Sequence, residues 1–271
     1  MKRNMLFGTG ILLLAILFLL AVFVPVFSPW PYTAQNADIQ NIGASISHPF
    51  GTDKFGRDLF VRVFYGTRIS LAVGLISAAI CGVLGVLWGS AAGYAGGRMD
   101  MLLMRIADII DAIPSLLYVI LLLLVLGGNL GSMLLGICIS GWIELARIVR
   151  GEVIRLKERE FCTSARLAGA GPVRILRVHL LPNAVGPIIV SLTFSVPRAI
   201  FTEAFLSFVG VGITDPAASL GALIQDARSQ MQVYPAQMIW PMAVLCILIL
   251  SMNLIGTGLE RILGQNEEGH R

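Results

Sequence analysis

The sequence predicts an all-α integral membrane protein with six transmembrane helices and both termini on the cytoplasmic side. Three observations carry that reading. Of 271 residues, 56% are hydrophobic and only 13% charged, about half the charge of an average soluble domain, and the mean hydropathy is +0.81. Six stretches, 6–27, 69–94, 106–126, 131–148, 184–209 and 238–260, are apolar over about the 20 helical residues that a bilayer core of ~30 Å requires. With the N-terminus inside, fourteen of the twenty Lys and Arg fall in cytoplasmic segments and five in outer ones, with Arg198 inside a span. That asymmetry is the positive-inside pattern.

The first stretch follows Lys2 and Arg3 and is longer than a signal-peptide core. Val24-Pro25-Val26-Phe27-Ser28 is no small-residue cleavage site, so it reads as a retained span. The outer loop of about residues 28–68 opens on Pro29 and Pro31 and then reads as a short helix lying against the membrane. Leu59, Phe60, Val63 and Phe64 recur there at helical spacing. The second span repeats small residues, Gly74, Ala78 and Gly82, then Gly85, Gly89 and Gly93. Such spacing lets helices in lipid approach closely. Pro114 is expected to kink the third span. The fourth is the shortest and is interrupted by Trp142 and Glu144, and Pro187 and Pro197 break the ladder of the fifth. Gly127–Gly131 reads as a tight outer turn. The last outer loop places a turn at Thr214-Asp215-Pro216 and an amphipathic helix from Leu220 to Met231. Three regions follow: 1–66, the first span with its outer loop; 67–262, a five-helix core with a cytoplasmic loop at 149–183; and a tail, 263–271.

Several functions are excluded at this level. The basic soluble face of a nucleic-acid binder is missing. The four cysteines and three histidines are scattered, which leaves neither a disulfide framework nor a metal site. No lysine follows a glycine, so the phosphate-binding P-loop is absent and energy for any transport has to come from another chain. Ionisable groups at membrane depth are costly and call for partners. Asp108 and Asp111 share a helix face with Arg105, which is the expected neutralising charge; the rival reading is a carboxylate pair in an intramembrane hydrolase, with Glu203 a further candidate. Arg198 and Glu203 are separated by about 140° around their helix, so each needs a partner elsewhere or a water-filled lumen. Glu203 is open to a lumen, a subunit interface or a buried structural hydrogen bond.

The longest water-compatible segment is Glu160–Asn183. A helix over Phe161–Ala168, a break at Gly169-Ala170-Gly171 and a second short helix opened by Pro172 are expected there. That second helix sets Val173, Leu176 and Leu180 on one side and Arg174 and Arg177 on another. A helix–bend–helix knob of this kind suits a partner's groove.

At this segment the chain resembles ABC importer permeases: Ala165-x-x-x-Gly169 followed by Leu181-Pro182 is similar to their cytoplasmic loop signature. His48-Pro-Phe-Gly51-Thr52-Asp53-x-x-Gly56-Arg57-Asp58, with Arg62, Gly66, Arg68 and Ser70-Leu71, resembles the outer loop of the dipeptide, oligopeptide and nickel branch in its "C" type subunit. Glu203-Ala204-x-Leu206-Ser207-Phe208-x-Gly210-x-Gly212 is similar to its fifth-span ending, and Gly221 to Arg228 to its last outer loop. Thr163-Ser164 stands where the general signature has Glu-Ala, and Leu220 where the branch often has tryptophan.

The resemblance implies a type I ABC importer permease fold and a non-catalytic pore subunit that moves peptides, or alternatively nickel or a nickel chelate, by alternating access across the bacterial inner membrane. It implies a sister permease, two cytoplasmic ATPases that bind the ATP and Mg, and an external solute-binding protein, with no cofactor in this chain. Glu160, Ser164, Ala165, Arg166, Gly169, Ala170, Gly171, Pro172, Leu181 and Pro182 would form the ATPase-coupling surface. Arg198, Glu203, Asp108 and Asp111 would belong to the pathway or a subunit interface. Gly51, Asp53, Arg57, Asp58, Gly221 and Arg228 would face the binding protein.

Overall fold

Helices account for nearly all of the chain. The computed structural model describes residues 2–212 and 218–268, with side chains described over 5–212 and 218–263. The turn expected at Thr214-Asp215-Pro216 and the basic Arg271 lie outside the described residues. In order come α1 (Lys2–Phe27), α2 (Leu59–Ala95), α3 (Gly97–Asp111), α4 (Ser115–Leu126), α5 (Leu130–Gly141) and α6 (Ile143–Lys157). They are followed by α7 (Glu160–Leu167), α8 (Pro172–Arg174), a π-helical stretch (Ile175–Leu180), α9 (Leu181–Val209), α10 (Leu220–Arg228) and α11 (Ala236–Glu268). Five helical segments are long and apolar enough to cross a membrane, and the bent pair α3–α4 makes a sixth.

The bend falls where Pro114 predicts it, at 67°. Pro114 supplies no N–H to the preceding turn, and Ala112 ends α3 while Pro114 opens α4. At the outer end of α4, Gly127 takes φ +88°, and the Asn129 side chain caps α5 through the Ser132 N–H at 3.0 Å.

Three expectations are corrected. The outer-loop helix is not a separate element lying on the membrane. Asp58 caps Val61 at 2.8 Å, and the helix so started runs without a break to Ala95, through the boundary expected at residues 66–67. Leu59, Val63 and Phe64 are its buried first turns. The fourth and fifth spans are likewise longer than their apolar runs, as continuous helical segments over Leu130–Lys157 and Pro172–Val209. In α6, Val149, Val153 and Leu156 recur on one face and stay buried, so the helix continues although its other face is charged. Within the expected loop 149–183, the break between these two long helical segments runs from Lys157 to Pro172 and itself holds α7. The tail expected from residue 263 continues α11 to Glu268.

α2 is the packing axis, and its glycines divide between two neighbours. A methyl placed on Gly85, Gly89 or Gly93 would collide with Leu145, with the Ala146 carbonyl or with the Arg150 carbonyl, all on α6. One on Gly74 or Gly82 would strike Ile200 or Leu192 of α9. One apolar cluster joins Leu17 of α1 and Phe64 and Leu71 of α2 to Ile200, Leu223 and Leu248. A second, around Val149, Val153, Cys162, Ile175 and Leu180, closes the far end. Lys157 donates to the Tyr94 carbonyl at 2.5 Å, which sets the C-terminal end of α6 beside the C-terminal end of α2, the end opposite the outer loop.

Candidate functional site

A cavity of about 1330 Å³ opens between α2, α4, α6, α9 and α11. Much of its wall is small and hydroxylated, with Ser77, Ser115, Ser140, Ser191, Ser195 and Thr202 among the lining residues. Charge is concentrated at two places. Arg198 of α9 forms an ion pair with Glu144 of α6, and both side chains remain more than half exposed, at 65% and 58%. Nearby, Arg147 reaches across to α3 and donates to Asp111 at 2.8 Å and to Asp108 at 3.0 Å.

The two carboxylates are therefore paired, but with Arg147 rather than with the expected Arg105. Asp108, Asp111 and Arg147 all stay about half exposed. Their geometry is a strap that ties the bent span to α6. Arg198 has the separate partner that its angular offset from Glu203 requires. Glu144 was visible in the sequence only as an interruption of the shortest span, and that interruption was the signal.

Glu203 is placed differently from the other pathway candidates. It is fully buried and is not part of the cavity wall. Ser70 of α2 donates to its Oε2 at 2.8 Å and Ser207 to its Oε1 at 2.9 Å. Ser219, the N-cap of α10, donates to Ser207 at 3.4 Å. Of the three readings left open, the structure assigns the buried hydrogen bond, with three serines around one carboxyl where α2, α9 and α10 meet. Gly66 and Gly221 make that meeting close: added methyls would strike the backbone at Ser219–Leu220 and at Ala204.

At the other end of the molecule, α7 lies across the base of α6. Cys162 is buried with Leu156, Ile175, Leu180 and Ala184, and burial pushes its thiol above the usual range. Gly169 turns the chain at φ +81°, and space around it is open. Its requirement is thus conformational. Pro172 takes the first helical position, as expected, but the helix it opens merges with the fifth span. Of the predicted apolar face, Leu180 is buried and Leu176 packs half-buried on the same cluster, beside Ile175, whereas Val173 is 63% exposed and does not belong to it. Glu160, Ser164, Arg166, Gly169, Gly171, Pro172 and Pro182 are exposed, and Ala165, Ala170 and Leu181 half-buried. Leu167 is 85% exposed.

The outer-loop residues are mostly interior. Asp53 accepts from Arg57 Nε at 2.6 Å, and Asp226 of α10 lies 3.5 Å from Arg57 and 3.6 Å from Arg62. Asp58 pairs with His48 at 2.6 Å. Gln237 of α11 donates to Asn41 and to the Thr52 carbonyl, at 2.8 and 3.0 Å. Gly51, Asp53, Arg57, Asp58 and Gly221 are buried and only Arg228 is exposed. These five lie beneath the outer face instead of on it: Asp53 and Arg57 are spent on each other, and Asp58 on His48 and the Val61 N–H. His48, Asp53, Arg57 and Asp58 were all in the motif, but their pairing was not legible from spacing.

Among the described residues, no group of three or more His, Cys, Asp or Glu is placed to hold a metal ion, and all four cysteines are free thiols.

Comparison with known proteins gives concordant results. Residues 85–267 match the family described as binding-protein-dependent transport system inner membrane component, and residues 1–46 match the N-terminal transmembrane domain of oligopeptide transport permease C. The oligopeptide transport system permease protein OppC of Bacillus subtilis is 42% identical over 262 residues, covering 97% of this chain and 86% of that one. The dipeptide transport system permease protein DppC of the same organism is 41% identical, covering 97% and 82%. Among solved structures, the inward-facing MetNI methionine ABC transporter superposes with a TM-score of 0.60 at 20% identity, over 76% of this chain and 96% of that one, so the fold is that of an ABC importer permease. With a family match across its helical core and close relatives along nearly its whole length, the chain belongs to the binding-protein-dependent transport system inner membrane components.

Proposed function

We propose that this multi-pass inner-membrane permease forms part of the pathway by which an ATP-driven importer moves di- and oligopeptides into the cell. The observation that carries the substrate class is the identity of about two residues in five, along 97% of the chain, to oligopeptide and dipeptide permeases. The permease is not an enzyme and carries no cofactor; ATP and Mg²⁺ belong to separate ATPases. A solute-binding protein delivers the peptide at the outer face, where Arg228 is exposed.

A sister permease completes the pathway. The support for it is physical. An ion pair that is more than half exposed within membrane-crossing helices is costly against lipid, and a second helical subunit over the open cavity removes that cost. The surface from Glu160 to Pro182 seats on an ATPase, with Leu167 entering its groove. Closure of the ATPases then moves α6 and α9 through the cluster around Cys162 and switches access from one side to the other.

The test is reconstitution of the complete transporter in proteoliposomes. Labelled dipeptide is expected to accumulate with ATP, and nickel is not; uptake of nickel alone would overturn the peptide assignment. Gly169→Val forces a β-branched residue into a left-handed backbone and is expected to cut uptake at least tenfold while ATP hydrolysis continues. Unchanged coupling would refute the seating of this loop.

A further inference from the structure

The Glu144–Arg198 pair has features that a purely structural ion pair does not need. It joins α6 to α9 at the wall of the cavity, yet both side chains keep more than half of their surface open to that space. The neighbouring charged strap differs, because Arg147 there is held by two carboxylates at once. Arg198 and Glu144 hold one partner each, whereas the other charges of the lining are Arg147, tied to Asp111, and Glu260 of α11. A solute that reaches the Glu144–Arg198 pair therefore meets one cation and one anion, adjacent and together neutral.

We propose that Arg198 and Glu144 read the two charged ends of a zwitterionic peptide, Arg198 taking the terminal carboxylate and Glu144 the terminal ammonium. The inference rests on the peptide-import reading above and adds which residues set the charge form accepted. A zwitterion opens the pair and replaces each partner with its own opposite charge, so no ion is left alone. A peptide blocked at one end opens the pair and leaves Arg198 or Glu144 without a counter-ion, so one charge-assisted contact is lost and not replaced. Side chains play no part in this exchange. The selection therefore falls on the termini and tolerates any sequence between them, and Arg198 offers the planar two-donor geometry suited to a carboxylate. Neither residue acts on the binding protein, so the discrimination adds to whatever that protein imposes.

The experiment uses the complete transporter in proteoliposomes, with the same binding protein preloaded with Ala-Ala, N-acetyl-Ala-Ala or Ala-Ala-amide. The wild type is expected to import Ala-Ala about tenfold faster than either blocked form, the factor that loss of one charged hydrogen bond confers. Arg198→Gln should slow Ala-Ala to the rate of its amide and leave the penalty for N-acetylation in place. Glu144→Gln should do the converse. Equal slowing of all three peptides in both variants would make the pair structural and overturn the inference, as would equal import of all three by the wild type or unchanged ratios in the variants. If the wild type imports none of them while its ATPase responds to the loaded binding protein, the peptide reading itself falls, and this inference with it.

Discussion

A carboxylate with no exposed surface inside a membrane bundle has to be held by donors, and Glu203 has Ser70 and Ser207 on its two oxygens. Its worth is therefore that of the hydrogen bonds, not of a charge in a pathway. Glu203→Gln keeps an acceptor for at least one serine and should fold nearly as well as the wild type. Glu203→Leu strands both hydroxyls and should lose about 1–3 kcal/mol, read as lower thermal stability in detergent. Equal stability of the two variants would contradict the role assigned to the serines. The sequence already placed Glu203 off the face of Arg198, because angular offset is a property of one helix. Which helix supplies the partner is not. Ser70 lies 133 positions away and Glu144 lies 54 positions from Arg198, so local spacing carries no trace of either pairing. Arg105 was the natural partner for Asp108 and Asp111 on sequence grounds, and Arg147 from another helix took its place for the same reason.

At the scale of elements, the spans were legible because twenty-odd apolar residues have few other uses, and Pro114 signalled its local role correctly. Helix ends were less legible. α6 and the helical segment Pro172–Val209 extend more than a turn beyond their apolar stretches because a helix stays stable when only one face is buried, and a hydropathy window averages that face with the charged one. The glycine repeat in α2 showed close packing but not with what. Gly89→Leu should overpack the α2–α6 contact and cost about 1–3 kcal/mol or more, seen as loss of monodisperse protein on gel filtration. Gly8→Ala, where an added methyl meets nothing within 4 Å, should behave like the wild type. Loss in both variants would remove the contact argument.

Across the whole molecule, the outer loop is bound to three helices at once: to α2 through the Asp58 cap, to α10 through Asp226, and to α11 through Gln237. With so little regular structure of its own, it keeps its shape through this ring of polar contacts. Asp53→Ala removes the carboxylate that receives Arg57 and leaves its buried guanidinium to Asp226, a loss of at most the ~3–5 kcal/mol that breaking a buried pair costs. Limited proteolysis should then cut between residues 28 and 58 while the helical content measured by circular dichroism stays constant. A loop as resistant as the wild type's would show that its order comes from elsewhere.

The uninterrupted course of α2 has a mechanical consequence. Its 37 residues extend about 55 Å at 1.5 Å per residue, nearly twice the ~30 Å hydrocarbon layer. A rod of that length, pivoting at its middle, displaces each tip by about 5 Å for every 10° of tilt, a leverage that follows from the same rise per residue. One tip lies beside Lys157 at the end of α6, and the other begins at the Asp58 cap, where the outer loop is fastened. A small angular change imposed at the inner tip is thus delivered at the outer tip as a displacement of atomic size, with no hinge in between to absorb it.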